Sequence, residues 1–157
     1  MANSTFKGVN ATSNAASIPA LSEGGQQAAV KKVMYDTYVL TADLASGDKI
    51  RMGGLIPAGA KILNVVLVTG ALGGSCTVDV GWEASADGVE TETKTGFFSG
   101  AVVSAAACST FSTATTPTLA GFGKKFSSPV QISVWEKAVS SSATGLSISL
   151  MVEYVEC

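Results

Sequence analysis

The chain has 157 residues, 46% of them apolar and only 14% charged, with a formal net charge of −2. That length suits one domain with a sizeable core plus an appendage, and the thin, scattered charge leaves no clustered basic face for nucleic acid. There is no histidine, which removes the commonest general base and the commonest metal ligand, and no run nears the ~20 apolar residues of a membrane-spanning helix.

Residues 1–32 are small, polar and poorly patterned, and only Phe6, Val9, Ile18, Leu21 and Val30 could bury much apolar surface. Fixing a backbone costs roughly 1–2 kcal/mol per residue, so ordering such a stretch costs on the order of tens of kcal/mol. It cannot offset that by folding on itself. The expectation is an extended N-terminal arm over 1–32, held by neighbouring subunits, ahead of a head over 33–157. The arm carries a net +2 and the head −4. Lys31 and Lys32 read as a solvated or interface pair. No signal-peptide pattern precedes them, and a chain folding in a reducing host cytoplasm is expected.

The head reads as β throughout. Segment 33–43 alternates, with Tyr35, Thr37 and Val39 on one face, Met34, Tyr38 and Leu40 on the other, and Asp36 as an exception. Ser46-Gly47-Asp48 turns the chain into a half-exposed strand at 49–52, and Pro57-Ala58-Gly59 turns it again. Segment 61–69 is a nearly continuous apolar run, buried on both faces or covered on one by a partner. Segment 75–82 puts Cys76, Val78, Val80 and Trp82 on one face. An acidic loop is expected over 83–96 and a strand over 97–104. A short strand at 108–112 follows, with an Ala-rich helical turn at 105–108 as its competitor. Segment 130–137 places Val130, Ile132, Val134 and Glu136 on one face and Trp135 on the other, more polar one. Segment 146–154 closes the chain with Leu146, Ile148, Leu150, Val152 and Tyr154 inward.

About eight short strands at this spacing predict an all-β, antiparallel two-sheet sandwich, of jelly-roll type, with a small closed barrel as the alternative. Candidate chemistry is sparse. Glu83, Asp87, Glu90 and Glu92 lie on one polar loop, where carboxylates are expected to be solvated and unshifted, and where a calcium site would lack its spaced ligands. Gly121-Phe122-Gly123-Lys124-Lys125 lacks phosphate-loop spacing and reads as a turn with two surface lysines. Cys76, Cys108 and Cys157 match no metal or redox spacing. The first two are expected to pack as small apolar groups, and any disulfide pairing stays open. Trp82 reads as core, and Trp135 as the better interface aromatic. No catalytic residue, cofactor or metal emerges, and a non-enzymatic role is expected.

Several stretches together resemble small tailed-bacteriophage virion proteins, in particular capsid decoration or cement proteins. They are Tyr38-Val39-Leu40 with Ser46-Gly47-Asp48-Lys49-Ile50-Arg51-Met52-Gly53, then Leu55-Ile56-Pro57-Ala58-Gly59-Ala60-Lys61-Ile62, Val78-Asp79-Val80-Gly81-Trp82, Ala120-Gly121-Phe122-Gly123-Lys124-Lys125-Phe126 and Val152-Glu153-Tyr154-Val155. The resemblance covers roughly 33–157. It implies a β-sandwich head on the outer capsid surface of a virion, a homo-oligomer with a trimer favoured, and an arm that ties together subunits of the major capsid protein. Nucleic acid and membrane are not expected partners. On this reading Phe6, Val9, Ile18, Leu21, Lys31, Lys32 and Trp135 are the candidate partner contacts. The acidic loop departs from the pattern. A head-fibre base or tail component contacting a receptor or glycan is the alternative. A carboxylate hydrolase would need two facing acids on separate strands.

Overall fold

A computed structural model describes residues 30–110, 120–138 and 143–156; the arm anchors Phe6, Val9, Ile18 and Leu21 lie outside the described residues, as does Cys157. Eight strands follow one another: β1 (Lys32–Val39), β2 (Lys49–Ile56), β3 (Ala60–Thr69), β4 (Thr77–Trp82), β5 (Thr93–Val102), β6 (Ala107–Thr110), β7 (Val130–Ala138) and β8 (Ser147–Glu156). The described residues contain no helix, so the Ala-rich stretch at 105–108 leads into a strand rather than a helical turn. Strand β5 starts inside the expected acidic loop.

The strands form two four-stranded antiparallel sheets, in the orders β1-β8-β3-β6 and β2-β7-β4-β5. Pairing is nested: β1 with β8, β2 with β7, β3 with β6, and β4 with β5. A long antiparallel ribbon gives this pattern when it is rolled so that successive pairs fall alternately in one sheet and the other. The additional pairs β3–β8 and β4–β7 complete each sheet.

Every strand except the short β6 contributes one face to a shared interior. Ile62, Val65 and Leu67 of β3 and Ile148, Leu150 and Val152 of β8 meet Val78 and Val80 of β4 and Ile132 and Val134 of β7. Each such side chain contributes roughly 1.5–3 kcal/mol on full burial. The run at 61–69 is apolar for a local reason. Ile62 pairs with Tyr154 and Asn64 with Glu153, so Leu63 is an extra residue in a bulge. The bulge keeps Ile62 and Val65 both inside while Leu63 and Val68 stay exposed. At one end of the interior Trp82 stands edge-on to Phe97 and Phe126, with ring centroids 5.4 and 5.3 Å away. Gly96 and Gly121 make that cluster possible, because a Cβ there would run into the Trp82 and Phe97 rings respectively.

The two edge strands β1 and β2 meet at a corner. The Leu40 N–H donates to Leu146 O and the Leu40 C=O accepts from the Gly145 N–H, so even-numbered β1 residues bond toward β8 and odd-numbered ones face the free edge. The expected exception at Asp36 now has a physical role. Its Oδ1 accepts the Thr37 N–H at 2.8 Å and its Oδ2 accepts the Gly53 N–H of β2 at 2.7 Å. One carboxylate thus satisfies an amide on each of two free sheet edges, which blunts both against stray strand pairing.

Asp36→Ala should lower folding stability by about 0.5–1.5 kcal/mol, the net contribution of hydrogen bonds whose exposed amides water can take over. The midpoint of denaturant unfolding checks this, and Asp36→Asn, which keeps one acceptor, should fall between.

Candidate interaction surfaces

The outward faces of the two sheets differ in chemistry. On β2-β7-β4-β5 the outward residues include Lys49, Arg51, Gln131, Lys137 and Asp79. Glu83, just past β4, is the centre of this face. Arg51 grips it through Nε and Nη2 at 2.9 and 2.8 Å, Lys49 Nζ lies 3.0 Å from Oε2, and the buried Ser133 hydroxyl donates to Oε1 at 2.7 Å. The Arg51 guanidinium, then the Ser133 hydroxyl and Lys49, hold the Glu83 carboxyl down at about 2 against the opposing effect of burial. A cavity of about 420 Å³ opens beside it, lined among the described residues by Arg51, Leu55, Glu83, Ala84, Pro129 and Gln131 and others, none of them aromatic.

The loop after β4 is only in part the solvated acidic loop its composition suggests: Asp87 and Glu92 are exposed. Glu83 and Glu90 are buried. Asp87 accepts from the hydroxyls of Ser128 and Ser85 and from the Val89 N–H, and these bonds hold it down at about 2. Burial works to raise Glu90, but the Ser127 N–H and Lys124 outweigh it and pull its pKa down. The segment therefore acts as a strap, fastening the β4–β5 connection to residues 124–128. Lys124 also lies 5.6 Å from the Phe126 ring centroid and 6.0 Å from that of Trp82, so it is a structural cation rather than a loose surface one.

On β1-β8-β3-β6 the outward face is nearly free of charge. One row across the strands reads Tyr35, Met151, Val66, Thr110, and the next reads Thr37, Ser149, Val68, Cys108. Tyr35 is 67% exposed and Val68 44%. The hydroxyls form a short chain: Thr37 donates to the Tyr35 hydroxyl at 2.9 Å and shares a 2.8 Å bond with Ser149. The charges Lys31, Lys32, Glu153 and Glu156 gather at the end where β1 begins, joined as Lys31–Glu153 at 2.9 Å and Lys32–Glu156 at 2.6 Å.

Inside the sandwich sits a second, opposite kind of acid. Glu136 lies on the Val130, Ile132 and Val134 face, as its alternation requires, and is 3% exposed. Cys76 Sγ donates to its Oε1 at 3.0 Å while Oε2 has no partner. Burial, with Asp48 adding to it against the Cys76 bond, pushes the Glu136 carboxyl up. Burial first, then Glu136, pushes the Cys76 thiol up to about 12. Cys76 thus packs inside as expected, whereas Cys108 is exposed on the outer face of β6, and both are free thiols.

The expected contact residues scatter. Lys31 and Lys32 are exposed but ion-paired with β8. Trp135 does face outward, opposite Lys49 and Asp79, yet it is only 4% exposed, because the outer face of central strand β7 is covered by its own chain. That burial removes Trp135 from the surface on which it was expected to meet a partner. The residues that composition did not single out are Val33, Tyr35, Val39, Val66 and Val68; their alternation within β1 and β3 carried the signal.

Two solved structures share this fold. A chain of the cyanophage Pam1 capsid asymmetric unit superposes with a TM-score of 0.66 at 20% identity, covering 92% of this chain and 96% of that one. A chain of the Ralstonia phage GP4 capsid gives a TM-score of 0.66 at 22% identity, covering 83% of this chain and 88% of that one. No protein-family model matches the sequence, and no curated protein does.

The two kinds of acid make the pH dependence two-sided. The Glu136 pKa is raised above its ordinary 4.5, so its stabilising contribution is full below that value and is lost as pH rises through the folded-state value. Glu136→Gln should gain in melting temperature relative to the parent as pH goes from about 5 to about 9. Glu83 is lowered from 4.5 to about 2, so its contribution is full above 4.5 and is lost as pH falls toward 2. Glu83→Gln should therefore melt lower than the parent at neutral pH, with the gap closing in acid.

Proposed function

We propose that this chain is a structural component of a phage virion, a non-enzymatic decoration protein that reinforces the capsid. The observation that carries the reading is a head whose fold matches, over nearly its full length, chains of two phage capsids. We read the nested strand order as a jelly roll, the double-sheet form in which two Greek keys cover one another.

The chemistry of the head supports the same reading. Many of its acids are engaged by cations, hydroxyls or backbone amides, and among the described residues the cavity beside Glu83 has no aromatic platform for a sugar. Its uncharged sheet face suits contact with protein. In the proposed mechanism the head sits on the outer capsid surface as a homo-oligomer, in the favoured case a trimer. The residues ahead of Lys31 run as an arm between subunits of the major capsid protein, since Lys31 and Lys32 are tied to β8 of the head. Phe6, Val9, Ile18 and Leu21 serve as anchors, each worth at most roughly 1.5–3 kcal/mol when fully buried. Repetition over many copies converts modest contacts into strong reinforcement by raising effective concentration.

The core of the head draws on residues 40–152, so a chain lacking residues 2–30 should still fold with a cooperative thermal transition. It should lose occupancy on purified capsids in a sedimentation binding assay by at least about tenfold, which corresponds to ~1.4 kcal/mol. Full occupancy by the truncated chain would overturn the arm mechanism.

A further inference from the structure

We infer that the outward face of the β1-β8-β3-β6 sheet is the surface through which the head meets a second copy of the same chain. The inference rests on the homo-oligomer part of the proposed function and adds the surface that makes it.

Three observations favour a sister copy as the occupant. The first is charge. When copies turn one face toward a shared axis, each brings the same groups, and like charges brought together cost several kcal/mol. The rows from Tyr35 to Thr110 and from Thr37 to Cys108 carry no charged residue. The opposite sheet carries Lys49, Arg51, Lys137, Glu83 and Asp79, joined in ion pairs that a covering copy would have to desolvate. The second is apolarity. Val33, Tyr35, Val39, Leu63 and Val68 are all exposed on this one face or at its bulge, a concentration beyond the scattered apolar residues of an ordinary surface. Among the polar groups there, Thr37 donates to the Tyr35 oxygen and is bonded to Ser149, which leaves the Tyr35 O–H free to donate across a contact.

The third is size. Three strands of eight to ten residues and the four-residue β6, spaced about 4.8 Å apart at ~3.3 Å per residue, present a flat face of roughly 450–550 Å². A standard stable interface needs about 800 Å² per partner. A head-to-head contact on this face alone is therefore of the weak, concentration-dependent kind, suited to copies brought together by a common support. The charged end, where Lys31–Glu153 and Lys32–Glu156 pair within the chain, becomes the rim.

Sedimentation of the full-length chain over a wide range of loading concentration tests this. The expected result is a mass that rises with concentration to two or three copies. Val68→Lys, at the centre of the face, should hold the mass at one copy across the same range, with a melting temperature and circular dichroism that report an intact fold. Lys137→Glu on the other sheet should leave association unchanged. Thr37→Lys, on the edge strand of the same face, repeats the test should Val68→Lys fail to fold. A parent chain that stays at one copy throughout, or a folded Val68→Lys or Thr37→Lys chain that associates like the parent, overturns the inference. Capsid occupancy measured in parallel separates the two readings. A non-associating chain that still decorates capsids leaves the decoration role standing and removes only the self-contact. Loss of association in the chain lacking residues 2–30, with Val68→Lys behaving like the parent, would assign the contact to the arm and overturn the inference as well.

Discussion

The interior between the two sheets takes one face of every long strand, and this constraint sorts all the remaining chemistry. A strand alternates with period two. Once Ile62, Val65, Leu67, Ile148, Leu150 and Val152 are committed inward, the opposite residues of β3 and β8 must form an outer face, whatever they are. On the other sheet the same rule sends Val134 inward and Trp135 outward. The nested pairing of β1 with β8 through β4 with β5 then fixes which outer residues stand side by side. No local preference of Tyr35 brings it beside Met151 and Val66; the register does.

Three acids show how differently the same carboxyl group is used within this frame. Asp36 lies at an inward position of an edge strand and bonds two amides that the sheets leave open. Glu83 lies outside the sandwich, where Arg51 and Lys49 hold it charged. Glu136 lies within it, with only a thiol as donor and one oxygen unpartnered. Burying a charge without a counter-charge is the costlier arrangement, so Glu136 is held toward its neutral form. The two shifts run in opposite directions because one acid has cations within reach and the other has Cys76 and a nearby Asp48.

Much of this was legible from the sequence, because period-two alternation reports directly on burial. It placed Met34 and Leu40 opposite Tyr35 and Val39, singled out Asp36, and put Glu136 on the core face beside Val134. It also gave eight strands in nearly their observed places. It could not reveal tertiary partners. Asp36 finds the Gly53 amide 17 positions away, Arg51 finds Glu83 at 32, and Ser133 finds Glu83 at 50. Composition alone therefore made residues 83–96 look like a solvated acidic loop, when long-range cations, hydroxyls and an amide fasten Glu83, Asp87 and Glu90 into a strap. Trp135 failed for a related reason: alternation says which way a residue faces, but not whether its own chain covers it.

The division between the sheets bears on how a small head and a long polar arm could act together. A neutral face of strand residues can approach another surface with little electrostatic penalty, but its flat area is limited by four strands and one strand length. Enlarging it would mean more exposed apolar surface on the free protein, and large contiguous patches of that kind invite aggregation. An arm escapes this limit. In the proposed mechanism an extended segment, which spans at most ~3.3–3.6 Å per residue, would add reach at the cost of few exposed apolar side chains. The two parts then combine by effective concentration rather than by affinity of either alone. On that physical ground a head with one neutral face and an arm with few anchors form a coherent pair. A head with a large sticky face would not need the arm, and an arm rich in apolar residues would not stay soluble before assembly.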